Sequence, residues 1–391
     1  MKVLEQLSQI QHHIESIEVY RYDVDVQRNF SHGSWSNRIH GFIRITAAGQ
    51  FGWGENIIAV NQDQLDLKAW LDSFQPLIGM RISDGIAWLM SHLQQNGSKA
   101  TEMLETALVD LAGKLLGVPA IALLGLEGTE AVPGLYCILE NDTEVVKEKA
   151  RLSLEQGYRT HLKVKLFGDI ELDKSVVQAA RSVIGEEAFL VGDVNDGYRK
   201  KQSTDSLDDL TAAMLQLYAV GLNACEDPGS LTTEQWVELQ NRVGGLQLLP
   251  DAPLRPAVTA IQSAAPGMGG IYNIHPGCAG SLIHAVELAR TIQGFGAKLM
   301  IGDDSLVGPA CTVWQQLAIG LGADWVEALE KPGESEGFES CVLTQATSRS
   351  AEGRVCVTEP AAGFGLFIDQ ERLLAVCKDY YHISQEQTAQ Q

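Results

Sequence analysis

The amino-acid sequence predicts an α/β protein: a small α+β domain followed by a barrel of parallel strands ringed by helices. Three observations predict it. From about residue 132, short apolar runs alternate with amphipathic helical stretches, roughly eight times over. Before that point a strand-like region gives way to a helical one. Several of the later runs also end in a charged residue, among them Lys165, Asp193, Glu226, Asp251 and His275.

In chain order, residues 17–60 alternate as strands do. Ile17, Val19 and Tyr22 open the stretch, a polar loop over about 28–38 interrupts it, and Phe42, Ile43 and Ile45 continue it. Gly52-Trp53-Gly54-Glu55 reads as the closing turn. Residues 64–126 read as helices. Met103, Leu104, Ala107, Leu108, Leu111, Ala112 and Leu115 recur at helical spacing until Gly117 and Pro119 stop them. The apolar runs then fall at 135–139, 161–166, 189–193, 222–226, 246–251, 271–275, 298–302 and, less distinctly, 323–328. Helical stretches such as 143–155, 173–184, 207–220 and 280–295 separate them. A doubly wound open sheet is the alternative, but no glycine-rich phosphate loop follows the first run, which also disfavours a P-loop or dinucleotide enzyme. Residues 354–368 read as one or two strands that return to the N-terminal domain.

The bulk properties bound the function. A chain of 391 residues suits two domains. Its net charge of −21 repels phosphate backbones and anionic membranes, so nucleic acid and membrane are not expected partners. No stretch offers the ~18 consecutive apolar residues of a membrane span. The N-terminus has no basic stretch followed by an apolar run, the pattern of a secretory signal. Seven cysteines scattered singly, without a CxxC pair, fit reduced thiols in the cytoplasm.

The charged run ends carry the chemistry. A lone charge at a strand end is ordinarily a solvated or capping residue. Here three consecutive runs end in carboxylates, Asp193, Glu226 and Asp251, flanked by one ending Lys163-Val164-Lys165 and one ending in His275. In a barrel these ends meet on one face. Three converging carboxylates repel one another unless a cation sits between them, and oxygen-only ligands select a hard metal, Mg²⁺ before Zn²⁺. Lys163 and Lys165 share one side of their strand. Two adjacent ammonium groups depress each other's pKa, which suits one of them to act as a base. Metal and amine together supply what abstraction of a proton α to a carboxylate requires.

The order Lys-x-Lys, Asp193-x-Asn195, Glu226-x-Pro228 and Asp251, with Ala107, Asp110, Gly117, Pro119 and Leu123-Leu124-Gly125, the Gly52-Trp53-Gly54-Glu55 signature and a Gly363-Phe364-Gly365-Leu366 tail, resembles the muconate-lactonizing branch of the enolase superfamily, in the mandelate racemase/muconate lactonizing enzyme family. The resemblance runs over nearly the whole chain. It implies a modified TIM barrel, (β/α)7β, over 131–352, with a capping domain over 1–130 joined by the tail 353–391. It implies Mg²⁺ on Asp193, Glu226 and Asp251, Lys165 as base with Lys163 beside it, and a lid around His32, Trp35 and Arg38. Asn195 and Asp304 are further substrate-side candidates. The implied activity is epimerisation or racemisation, dehydration or cycloisomerisation of a small carboxylate by a cytoplasmic protein, as such barrels often are a homo-oligomer. The rival is a metal-binding relative that binds small carboxylates without turnover.

The chain departs from the pattern at four places. The branch places a second lysine where His275 stands, Ala252 follows the third carboxylate where an acid is usual, an insertion is expected near 199–208, and Leu126 follows Leu123-Leu124-Gly125 where a second glycine is often found. The related mandelate-racemase branch uses a His-Asp dyad on its seventh and sixth strands. A dyad of His275 with Asp303, the strands exchanged, would replace the missing lysine as second acid/base.

Overall fold

The computed structural model describes residues 2–31, 33–62, 64–128, 130–199, 207–304, 306–327, 342–345, 349–357 and 361–385. His32 and most of the expected insertion lie outside them.

The N-terminal domain is a four-stranded antiparallel sheet against helices. Ser16–Phe30 and Gly33–Ala47 form one long hairpin, paired from Ser16↔Thr46 out to Phe30↔Gly33. The loop expected at 28–38 is therefore two strand ends. Their residues are mostly half-buried or exposed, so no hydrophobic alternation announces them. Gln50–Val60 is the third strand. The glycine motif lies inside it, and the turn comes earlier, at Ala48 and Gly49, both with positive φ. The two glycines serve packing: a Cβ on Gly52 would stand 2.0 Å from the Ala107 carbonyl oxygen, and one on Gly54 2.1 Å from that of Met103. Strand and helix Ser98–Leu116 touch backbone to backbone.

The sheet is buried on both faces. Ile17, Val19, Ile43 and Ile45 join the large core with Met103, Leu104 and Leu108 of the helix, whereas Tyr20, Phe42 and Trp53 pack with Val307 and the tail residues Ile368 and Leu373. The strand that returns from the C-terminus is Asp379–Ser384, paired along Ser16–Arg21. The earlier tail segments expected to do so pair elsewhere: Arg354–Cys356 with Val132–Pro133, and Leu366–Ile368 with Val342–Gln345. Buried Asp110 joins the pieces, accepting from the backbone N–H of Trp53 and of Phe364 and from Lys114.

The barrel strands are Tyr136–Ile138, His161–Lys165, Phe189–Asp193, Ala224–Glu226, Gln247–Leu249, Ile271–Ile274, Lys298–Ile301 and Trp325–Val326, in that order. The first five and the last three form parallel ladders. The Asn273 N–H donates to the Pro250 carbonyl at 3.1 Å, and the Leu135 N–H to that of Val326 at 2.8 Å, which closes the ring. Seven helices connect the strands, from Thr143–Glu155 to Pro309–Leu321, giving (β/α)7β. Leu135, Val191, Ala224, Leu249, Ile271, Met300 and Trp325 fill the interior as one apolar cluster. Two residues further along five of these strands, the same parity delivers Asp193, Glu226, Asp251, Asn273 and Glu327 to the C-terminal mouth. His161 sits at the deep end, stacked on Trp325 at 4.7 Å, and burial pushes its pKa down to about 4.

Candidate active site

Parity continues Val191 into Asp193, Ala224 into Glu226, Leu249 into Asp251, Ile271 into Asn273 and His275, and Trp325 into Glu327. These side chains, apart from Asn273, line one chamber of about 170 Å³ with Lys163, Lys165, Asn195, Arg255, Asp303 and Asp304. The hairpin covers it with Arg28, Phe30 and Trp35, Phe30 and Trp35 packing at 4.9 Å. Ser31 Oγ donates to the Asn195 carbonyl at 2.9 Å, fixing the hairpin tip to the end of the third strand. The lid is thus a strand pair. Arg38 belongs to its buried shaft, beside the charges of Asp303, Asp304 and Glu55, and does not line the chamber.

Charges on this side are paired across the barrel mouth. Lys163 Nζ stands 2.7 Å from Glu226 Oε2, 2.8 Å from Glu327 Oε2 and 3.3 Å from Asp193 Oδ2. Lys165 Nζ lies 2.5 Å from the same Asp193 oxygen and 2.9 Å from Asn195 Oδ1, with the Phe30 ring centroid at 5.4 Å. Burial works against the charge of Lys163, but Glu226, Glu327 and Asp193 outweigh it and hold its pKa well above the ordinary lysine range. The depression expected of two neighbouring amines is therefore reversed for Lys163. Asp193 is also buried, yet the two lysines keep it below the usual carboxylate range. Burial and then the charge of Asp193 push Glu226 up to about 7.

Asn195, Asp196 and Asp227 all take positive φ, at 47°, 60° and 42°. Left-handed backbone in three polar residues at the ends of two adjacent strands marks a built site. Asp227 braces the next strand by accepting from the N–H groups of Asp251 and Ala252. Arg255 reaches back around the short turn Ala252–Leu254 and clasps both Asp251 oxygens, one through Nε at 3.0 Å and the other through Nη2.

The donor chemistry fits a divalent cation, although here Lys163, Lys165 and Arg255 hold the three carboxylates and no set of one oxygen from each lies within 4.8 Å. Asp193, Glu226 and Asp251 are each buried, at 2%, 1% and 1% exposure, and all their free atoms are oxygen. Glu226 Oε1 accepts from Asn273 at 3.0 Å, while Oε2 has no aligned hydrogen-bond donor despite the nearby lysine. The chamber lining carries six carboxylates, Asp193, Glu226, Asp251, Asp303, Asp304 and Glu327, against four cations, Arg28, Lys163, Lys165 and Arg255, an excess of negative charge that a divalent cation would offset.

His275 differs from the expectation. Its Nδ1 lies 2.8 Å from the Pro276 carbonyl, which can only accept, so the proton is on Nδ1 and the Nε2 lone pair is free. Nε2 is 3.9 Å from Asp251 Oδ2. Asp303 shares the chamber, but no hydrogen bond links it to His275 among the described residues. The expected dyad is replaced by a bond to the histidine's own loop. The acid beside it is Asp304, which together with Cys278 places ligating atoms within 4.8 Å of the ring. Burial, then Arg255 and Lys99, hold His275 well below its ordinary pKa, so the ring is neutral. Burial and then the charge of Asp304 raise the Cys278 thiol to about 11, which removes it as a nucleophile. Sequence reasoning missed Arg28, Phe30, Arg255 and Glu327. Glu327 carried a signal: it ends the eighth run at the parity of its neighbours.

Residues 145–372 match the enolase C-terminal domain-like family. The chain belongs to that family. Muconate cycloisomerase 1 of Acinetobacter baylyi is 24% identical over 84% of this chain and 89% of its own. Hydrophobic dipeptide epimerase of Roseobacter litoralis is 28% identical over 70% and 77%. Muconate lactonizing enzyme from Pseudomonas fluorescens superposes with a TM-score of 0.78 at 23% identity, covering 94% of this chain and 100% of that one. The chain is an enolase-superfamily enzyme of the isomerase or lyase type, like these relatives, and its barrel with an N-terminal cap is theirs.

Proposed function

We propose that this enolase-superfamily enzyme removes the proton α to a carboxylate in a small acid, assisted by Mg²⁺ on Asp193, Glu226 and Asp251. The observation that carries the reading is the convergence of those carboxylates with Lys163 and Lys165 in one enclosed chamber. A divalent cation held there stabilises the negative charge that proton loss places on the substrate's carboxylate oxygens. Lys165 is the more accessible amine, at 12% against 5% exposure, and stands where the proton can be taken. Lys163, charged and anchored by Glu226 and Glu327, lies beside it. The hairpin excludes water with Phe30 and Trp35.

His275 presents an unprotonated Nε2 to the same chamber. An acceptor there and an amine on the second strand put acid/base groups on two sides of a substrate, which favours epimerisation or racemisation. Dehydration and cycloisomerisation are the second reading, because the lysine side alone serves them and relatives of all three kinds match the chain. The same reading assigns 1–130 with 353–391 to the cap and 131–352 to the barrel, in a cytoplasmic homo-oligomer.

The test is α-proton exchange in D₂O over a panel of sugar acids and N-acylated or peptide-linked amino acids. Mg²⁺-dependent deuterium incorporation that EDTA abolishes is the expected result. Binding of these acids with no exchange in any of them would leave a carboxylate-binding protein instead.

A further inference from the structure

A second chamber, of about 460 Å³, lies at the seam of cap and barrel. Its apolar lining is Ile58, Trp70 and Pro256, and its polar lining includes Asn96, Lys99 and Arg255. The wall toward the catalytic chamber consists of side chains paired across it. Arg255 lines both chambers and clasps Asp251, while Lys99 lines the seam and bonds Asp304, which lines the catalytic chamber.

We propose that this seam chamber binds a small apolar carboxylate, and that its occupancy is coupled to the divalent cation through the Arg255–Asp251 pair. The coupling rests on the metal site proposed above. Among the described residues the lining holds two cations and no carboxylate, which disfavours a cationic ligand and favours an anion. Among the described residues Asn96 Nδ2 is buried without an acceptor, and a ligand carboxylate supplies one. The chamber also takes in Gly97, Ser98 and Ala100, where the long helix Ser98–Leu116 begins without a side-chain cap. Ile58, Trp70 and Pro256 want an apolar body, which inorganic phosphate lacks. The volume suits an acid the size of benzoate.

The coupling follows from shared partners. Arg255 occupies both oxygens of Asp251, so a cation at Asp251 competes with the guanidinium. An anion in the seam competes with Asp251 for the same guanidinium. Each ligand weakens the other's competitor, so each tightens the other by the same factor.

Mn²⁺ followed by electron paramagnetic resonance and benzoate followed by tryptophan fluorescence test this on the full chain, without reference to turnover. The expected result is benzoate quenching that Trp70→Phe removes, and Mn²⁺ affinity raised by benzoate on the order of fivefold, the low end of ordinary coupling. Phosphate should do neither. Arg255→Gln should abolish the benzoate dependence. Asn96→Leu should weaken benzoate and leave Mn²⁺ affinity in its absence unchanged, which covers the case of an unstable Arg255 variant. Benzoate that displaces Mn²⁺, or binds equally well to Arg255→Gln, overturns the proposal. Failure of Mn²⁺ to bind at all sinks the metal reading and the coupling, while Arg255-dependent benzoate binding would still identify the seam site. A length series of α,ω-diacids separates two sources of the carboxylate. A Mn²⁺-dependent optimum at one length assigns it to the far end of the substrate, and a flat series to a separate acid.

Discussion

The two walls of the catalytic chamber are built differently. On the second to fifth strands, lysines and carboxylates of different strands hold one another, and Asp227 braces Asp251 from within the barrel. On the sixth and seventh, support comes from the cap. Glu102 accepts from the N–H groups of Gly277 and Gly280 in the loop after His275, Glu105 from Ser281 Oγ and the Leu282 N–H, and Lys99 holds Asp304. Asn56 adds a bond to the Gly277 carbonyl at 3.0 Å. The first wall is held mainly by ion pairs within the barrel, with the hairpin tip bonded to it through Ser31, and the second mainly by hydrogen bonds from the cap. On the proposed reading, proton abstraction sits on the barrel-held side and the second acid/base group on the side that the cap supports.

Lys165→Ala tests the first wall most severely: exchange should fall by about 10²–10⁴-fold while Mg²⁺ still binds. Glu226→Gln should weaken Mn²⁺ binding, read by titration calorimetry, by at least ~100-fold, more than loss of an outer-shell partner. His275→Gln divides the walls. Exchange at the lysine face should persist, whereas conversion between epimers falls by about 100-fold; equal loss of both would make the histidine a structural element of the whole site.

The second wall should also respond to pH. Burial, only partly offset by hydrogen bonds, raises Glu102 and Glu105 from 4.5 to about 7 and about 8. Groups whose folded pKa is raised stabilise fully below the unfolded value and lose that contribution as pH rises through the folded one. Stability toward urea should decline by a few kcal/mol between about pH 5 and pH 8.5, and Glu105→Gln should flatten the decline. A flat profile in the unaltered chain would mean that the seam does not carry these protons.

Legibility in the sequence follows the same division. Asp193, Glu226, Asp251 and Lys165 were readable because a strand period of two repeats at the ends of consecutive runs. Arg255 was not, since it belongs to no strand and reaches Asp251 around a short turn. The hairpin shaft was mistaken for a loop because residues overhanging a polar mouth need no apolar alternation. The His275–Asp303 pairing failed for a local reason: the Pro276 carbonyl is nearer to Nδ1 than any carboxylate. Glu102 and Lys99 lie more than 170 residues before the loops they hold and give no local sign of it.

The bare backbones of Gly52 and Gly54 lie flush on helix Ser98–Leu116. Sheet and helix are thereby welded into one lever. The hairpin that roofs the chamber is one arm of that lever, and the residues gripping the His275 loop are the other. A rigid-body swing of this sheet and helix would therefore shift the roof and the supports of the histidine loop together.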